Sequence, residues 1–150
     1  MSNVSTIYSQ IVTKLGEVFP THTRIPYAYS LPDNNSNFLK KSYGLTVGPA
    51  NFVESEFCNR VSQREVTVIF TREVLRVDSD FAPIDMIVNE LLEDVNTVQG
   101  LFFSYEELGI EVNILKVDIE GVSGIEEVLA NNAKFLTMAA SFSIQIKESL

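Results

Sequence analysis

The sequence predicts a single α+β domain over residues 1–150, with two amphipathic helices on one face of a mixed or antiparallel sheet of about four to five strands. Two segments whose apolar residues recur at helical spacing, and one C-terminal segment that alternates strictly, lead to this prediction. Long stretches of chain separate the expected strands. A chain of 150 residues has the usual size of one domain and can bury its own core.

The two helices are predicted from apolar stripes with i, i+3, i+4 and i+7 spacing. The first stripe consists of Val4, Ile7, Tyr8, Ile11, Val12, Leu15 and Phe19. Ser2 or Asn3 can cap this helix, and Pro20 ends it. The second stripe consists of Ile84, Ile87, Val88, Leu91, Leu92, Val95 and Val98. Asp80 is placed to cap the second helix, and Gly100 is expected beyond its end.

The region between the helices is predicted to contain two strands. Prolines make residues 20–38 extended and rich in turns. A short strand is expected from Tyr43 to Val47, closed by Gly48-Pro49, and the ambiguous stretch 51–62 is interpreted as a loop anchored by aromatic residues. The longest strand is expected over 64–77, because apolar or β-branched residues occupy both of its faces.

The C-terminal third is predicted to contain short strands and one particularly regular strand. Residues 101–105 and 110–119 are interpreted as strands, and Ile125, Val128 and Leu129 fit one or two helical turns. Residues 136–146 alternate apolar with small or polar side chains, as in a half-buried strand. We expect this strand to bury Phe142 and Ile144 against Leu91 and Leu92 of the second helix.

Charge is distributed unevenly along the chain. Residues 1–75 contain seven Lys/Arg and six Asp/Glu, whereas residues 76–150 contain four Lys/Arg and fourteen Asp/Glu. Such a chain lacks the clustered cations needed to bind duplex DNA through its phosphates. This uneven distribution of charge is typical either of an acidic, soluble surface or of a subunit with two unlike sides. No segment matches a signal peptide or a membrane helix, so we expect a cytoplasmic protein with no membrane partner.

The sequence contains no recognisable catalytic or metal-binding motif. Its only histidine, His22, is expected at the surface, and its only cysteine, Cys58, has no thiol with which to pair. Asp78 and Asp80 do not begin a calcium loop, because Pro83 stands where that loop needs glycine. Gly121 and Gly124 do not have the spacing of a phosphate-binding loop. We therefore predict no enzymatic activity, no metal and no cofactor.

The order of the elements and the chain length resemble those of the tail terminator, or tail completion, proteins of long-tailed bacteriophages. Two local features carry the resemblance. One is the long two-faced strand over 64–77 followed by an amphipathic helix, and the other is the strand over 135–147 that alternates to the last few residues. The resemblance covers nearly the whole chain as a pattern of elements, without a diagnostic residue motif.

The resemblance implies a virion structural protein that forms a ring, typically a hexamer. Such a ring caps the tail tube and joins it to the head connector, so the implied partners are other copies, the tail tube protein and the neck proteins. DNA passes through the lumen without specific binding. The protein would be in the host cytoplasm during assembly and then in the tail or neck of the virion. The alternatives are another neck or head-to-tail connector subunit, and a small α+β enzyme or ligand-binding module.

Subunit contacts are predicted in two segments, 32–42 and 49–63, which combine polar tips with aromatic and cationic residues. The contact residues expected there and in the preceding segment are Tyr27, Tyr29, Phe38, Lys40, Lys41, Phe52, Phe57, Arg60 and Arg64. Their cations would face the acidic second half of a neighbouring copy and steer the closure of the ring.

Overall fold

The fold is a two-layer α+β arrangement, seen in a computed structural model that describes residues 3–25, 41–56, 59–74, 82–103, 114–130 and 133–149. Among these residues, two helices pack on one face of a six-stranded mixed sheet. The helices are α1 (Asn3–Val18) and α2 (Ala82–Phe103), and the strands are β1 (Thr23–Ile25), β2 (Lys41–Glu56), β3 (Asn59–Val74), β4 (Ile114–Val122), β5 (Glu126–Ala130) and β6 (Ala133–Ser149). The predicted class is confirmed, and the sheet has more strands than expected.

The sheet follows the order β1-β2-β3-β6-β4, and β5 pairs with β6 as well. β1 is parallel to β2, and all other pairs are antiparallel. β3 and β6 form the central ladder, which is in continuous register from Asn59–Ser149 to Val74–Lys134. As a result, the strands from the first half of the chain form one side of the sheet, and those from the second half form the other.

The core lies between the helices and the sheet. Even-numbered residues of β3 and β6 face the helices, and Val68, Phe70, Ala140 and Phe142 are fully buried there. The ring of Phe102 on α2 stacks on Phe142, with 4.0 Å between the ring centroids. α1 contributes the predicted stripe to the same core.

The helices run in opposite directions across the sheet. The first turns of α1 lie beside Ile144 and Ile146, and Phe19, directly after α1, contacts Phe70, whose β6 partner is Met138. α2 instead crosses from the end of β3 towards Phe142. α1 packs on β6 and lies beside Val47 of β2 and Val66 of β3, and α2 covers β3, β6 and part of β4.

The stretch 49–63, predicted to be a loop, consists of strand in all of its described residues. β2 continues through Gly48-Pro49 because register shifts between Val47 and Ala50, and between Phe52 and Glu54, absorb the irregular backbone. Residues 59–63 are mostly polar and show no alternation of apolar side chains. They nevertheless form a strand, because this part of β3 pairs with β2 on one side and with β6 on the other.

Three smaller predictions about the second half of the chain were wrong. α2 does not end before Gly100 but continues through it, because Leu101 and Phe102 are buried beyond it. The expected strand over 101–105 is helix as far as Phe103, and its last two residues lie outside the described chain. The expected helical turn around Val128 is β5, whose backbone pairs with β6.

Candidate functional site

The predicted contact residues fall into two groups. Tyr27, Tyr29, Phe38, Lys40 and Phe57 lie outside the described residues, as do Cys58, Asp78 and Asp80. Lys41, Phe52, Arg60 and Arg64 are described, and the structure places them on β2 and β3.

Phe52 and Arg60 come together on the helix-facing side of β2 and β3. Phe52 is 54% exposed, and the Arg60 guanidinium lies 4.7 Å from the centroid of its ring. This distance is within the range of a cation–π contact. The pair presents an aromatic ring and a positive charge at one place on the surface.

Arg64 and Lys41 are not at the same place. Arg64 lines a small apolar cavity of about 20 Å³ beneath α1, together with Tyr8, Val66 and Ile144. Lys41 donates a hydrogen bond from Nζ to Thr21 Oγ1 over 2.9 Å. The four described contact residues therefore do not form one patch, and only Phe52 and Arg60 are brought together.

The charge asymmetry of the sequence becomes a spatial asymmetry. β1, β2 and β3, on one side of the sheet, contain five Lys/Arg and four Asp/Glu. On the other side, β4 and β5 contain four Asp/Glu and a single lysine, Lys116. α2, which covers β3, β6 and part of β4, adds four Asp/Glu and no Lys/Arg, and two of these carboxylates pair with Arg72. The two halves of a sequence need not lie on different sides of a protein, but here the strand order places the strands of each half on its own side of the sheet.

An ionic cluster of His22, Arg72, Glu90 and Asp94 joins three elements under the helix layer. The Arg72 guanidinium donates from Nη2 to Asp94 Oδ2 over 2.7 Å and from Nη1 to Glu90. His22 Nε2 lies 3.0 Å from the same Asp94 oxygen. The side chains of His22, Arg72 and Asp94 are only 5%, 8% and 12% exposed.

The backbone positions each member of the ionic cluster. His22 follows α1 in a turn closed by a hydrogen bond from its N–H to the Phe19 carbonyl. Arg72 continues the even-numbered, helix-facing positions of β3. Glu90 and Asp94 are four residues apart and thus neighbours on α2. The cluster therefore ties the end of α1, the end of β3 and the middle of α2 together.

The electrostatics of the ionic cluster keep Asp94 charged. Burial by itself raises the pKa of its carboxyl group, but hydrogen bonds from His22 and Arg72, with the charge of Arg72, outweigh burial and lower the pKa below 3.8. Because the Asp94 carboxylate can only accept, His22 Nε2 donates to it. Arg72 Nη2 lies 3.2 Å from His22 Nε2. Both nitrogens donate to the same oxygen of Asp94, so this short distance is a contact between two donors.

The prediction that His22 is a surface residue was wrong, because Phe19 and Phe70 enclose its ring and Asp94 fixes it. A buried His–Asp pair also occurs in catalytic triads, where the free ring nitrogen faces a nucleophile. Here Nδ1 is buried without a hydrogen-bond partner in the part of the chain that the structure describes. This geometry favours a structural role for the pair.

The sequence did contain a signal for the ionic cluster. Arg72 occupies the position after Val66, Val68 and Phe70 in the same alternation, and Asp94 stands three residues after Leu91 on the buried side of α2. A charged residue in the phase of a buried stripe requires a charged or hydrogen-bonding partner. Nothing in the sequence indicates that His22, 72 residues from Asp94, completes the cluster.

Comparison with known proteins gives no family for this chain: it matches no protein-family model and no curated protein. No helix among the described residues is long and apolar enough to cross a membrane. The same residues contain no group of three or more His, Cys, Asp or Glu side chains that could hold a metal ion.

Proposed function

We propose that the chain is a structural subunit that assembles head to tail with copies of itself into a ring. Following the resemblance seen in the sequence, the ring terminates the tail tube of a long-tailed bacteriophage and joins it to the head connector. The observation that carries the proposal is the difference in charge between the two sides of the sheet. A surface that is unlike on its two sides suits heterologous contacts, which close into a ring when the rotation between copies allows it.

The outer strands β2 and β4 favour contacts between copies that are made by side chains rather than by strand pairing. Among the described strands, none pairs with β2 beyond Gly44 on the side away from β3, and none pairs with the outer side of β4. Both edges contain register shifts, and β2 contains Pro49, which has no N–H to donate. Bulges and proline hinder the addition of foreign strands to an edge. Recognition between copies then depends on the side chains near each edge.

A structural role also agrees with the chemistry of the described residues. The ionic cluster is enclosed, and the acidic side of the molecule repels the DNA backbone. A ring through which DNA passes benefits from such repulsion, because DNA that binds to the channel wall moves more slowly. The proposal therefore includes a negatively charged channel and no catalytic step.

Electron microscopy of purified virions and isolated tails tests the proposal, using a labelled antibody against the chain. We expect label at the end of the tail tube that joins the head, and a ring there in averaged images. Label elsewhere in the neck would indicate another connector subunit. If the protein is absent from virions and forms no ring alone or on tail tubes, the proposal is wrong and the enzyme alternative becomes the stronger one.

A further inference from the structure

Three buried side-chain oxygens lie near one another on the face of the sheet opposite the helices. They are Ser42 Oγ on β2 and Thr71 Oγ1 and Glu73 Oε2 on β3, and none has a hydrogen-bond partner among the described residues. Thr71 and Glu73 occupy odd-numbered positions of β3, whose even-numbered positions face the helices. Ser42 pairs directly with Thr71, so all three side chains project from the same face.

The strand register brings these oxygens within reach of one small ligand. Residues directly opposite each other in an antiparallel pair, as Ser42 and Thr71 are, have β-carbons about 4.5–5.5 Å apart. Residues two apart on one strand, as Thr71 and Glu73 are, are separated by about 6.6–7 Å. The two short hydroxyl side chains and the longer carboxylate side chain can therefore meet at a common point above the strands.

Apolar side chains flank this group of oxygens. Ile25 on β1 and Phe135 on β6 project from the same face and are 5% and 0% exposed. Ser42 and Thr71 are themselves fully buried, whereas Glu73 is half-buried. The hydroxyl groups therefore form the interior of the site, and the carboxylate lies where the site meets solvent.

The described residues supply no positive charge to the carboxylate of Glu73. Lys41 and Arg72, the adjacent cations of β2 and β3, project from the other face, where they bind Thr21 and Asp94. A buried polar atom without a partner is unfavourable, and a buried carboxylate oxygen is more so. The arrangement is therefore that of a binding site for a ligand that oxygen atoms can hold.

We propose that Ser42, Thr71 and Glu73 bind an alkali metal cation, Na⁺ or K⁺. Hard cations take oxygen ligands, and hydroxyl oxygens have lone pairs to offer. The site contains a single negative charge, so a monovalent cation makes it neutral, whereas a divalent cation leaves an excess of charge beside apolar side chains. No motif marks the site in the sequence, because Ser42 and Thr71 meet only through the pairing of β2 with β3. The proposal is independent of assembly into a ring.

Thermal unfolding of the full chain tests the site. The chain is purified into choline chloride, and sodium or potassium chloride then replaces this salt at constant ionic strength, so that general screening stays the same. We expect the midpoint of unfolding to rise by about 3–6 °C when the cation exceeds its dissociation constant about tenfold. Broadening of the ²³Na NMR line by the protein, reversed by added potassium chloride, measures binding directly.

Two variants distinguish a bound cation from a carboxylate with a purely structural role. Glu73→Gln keeps the shape of the side chain and removes its charge, so we expect sodium and potassium chloride to leave its midpoint unchanged. Its amide can donate to the hydroxyl oxygens, so in choline chloride the variant should be no less stable than the wild type. Glu65→Gln is the matched control, because Glu65 is exposed on the same strand and face, and it should respond like the wild type.

Three results would overturn the proposal. Equal midpoints of the wild type in all salts would mean that bound water alone satisfies the oxygens. A rise that persists in Glu73→Gln would place the cation elsewhere on the chain. A rise in calcium chloride without one in sodium or potassium chloride would assign the site to a divalent cation. None of these results bears on the proposed ring, which microscopy tests separately.

Discussion

Arg72 and Asp94 form an ion pair between β3 and α2, with 2.7 Å between Nη2 and Oδ2 and both side chains almost wholly buried. Removing one partner of a buried pair leaves an uncompensated charge and costs about 3–5 kcal/mol. We expect Arg72→Met and Asp94→Leu to lower the free energy of unfolding by this amount in urea titrations. Lys116→Met is the control, because its pair with Asp118 is exposed and contributes about 0–1 kcal/mol.

The double variant separates the two causes of this loss. Arg72→Met with Asp94→Leu removes both charges, and the free energy of unfolding should recover most of the single losses, because no unpaired charge remains. Glu90 stays exposed on its helix and can be solvated in the variant. Additive losses in the double variant would contradict the interpretation that the pair acts as a unit.

The lowered pKa of Asp94 predicts loss of stability in acid. A carboxyl group whose pKa is lower in the folded than in the unfolded chain stabilises the fold above its unfolded pKa, and this stabilisation disappears as the pH falls through the folded value. The difference in free energy of unfolding between wild type and Asp94→Asn should therefore shrink as the pH falls below about 4. Asp85→Asn, which removes an exposed carboxyl group from the same helix, is the matched control.

Leu91 and Leu92 offer a comparison between adjacent residues of one helix. Leu91 is fully buried and Leu92 is 45% exposed, so the prediction that both are buried was wrong for Leu92. Leu91→Ala should cost about 2–5 kcal/mol in the free energy of unfolding, because it leaves a cavity in the core. Leu92→Ala should cost less than about 1 kcal/mol at concentrations where the chain is monomeric. Equal losses would place Leu92 in the core.

Hydrogen exchange should distinguish the two strands that the sequence led us to interpret as one loop. Residues 59–63 of β3 pair with β2 on one side and β6 on the other. Residues 50–56 of β2 pair with β3 alone among the described strands. We expect slower exchange in the first group than in the second when the chain is monomeric, and added protection over 50–56 on assembly. Uniformly fast exchange over 49–63 would support the original loop instead.

The structure also changes how the cations are best tested. The sequence by itself suggests one variant, the exchange of Lys40, Lys41 and Arg64 for glutamate, to test whether these cations steer assembly. Arg64, however, lies against Tyr8 and Ile144 beneath α1, so its reversal would disturb the fold. Arg60→Glu is the cleaner variant, because Arg60 lies on the exposed ring of Phe52. It should weaken assembly, with a larger defect at low salt, where like charges are screened less.

The sequence was sufficient for the elements whose burial is periodic. The stripe from Val4 to Phe19 and the alternation over 136–146 reflect one-sided burial, and both were predicted correctly. Residues 51–62 were not predicted to form strands, because their strand conformation depends on pairing with distant segments rather than on their own side chains. The ionic cluster was missed for a related reason, since tertiary structure alone brings residues 22, 72 and 94 together.

The pairing of β3 with β6 has a consequence for synthesis of the chain. Partners in this ladder are between 60 and 90 residues apart, from Val74–Lys134 to Asn59–Ser149. Closing so long a loop is slow compared with forming a local hairpin. While a ribosome makes the intervening residues, β3 has β2 beside it but nothing on its other edge. An exposed strand edge of this kind is prone to join other chains, so the yield of folded protein should fall as expression rate and temperature rise.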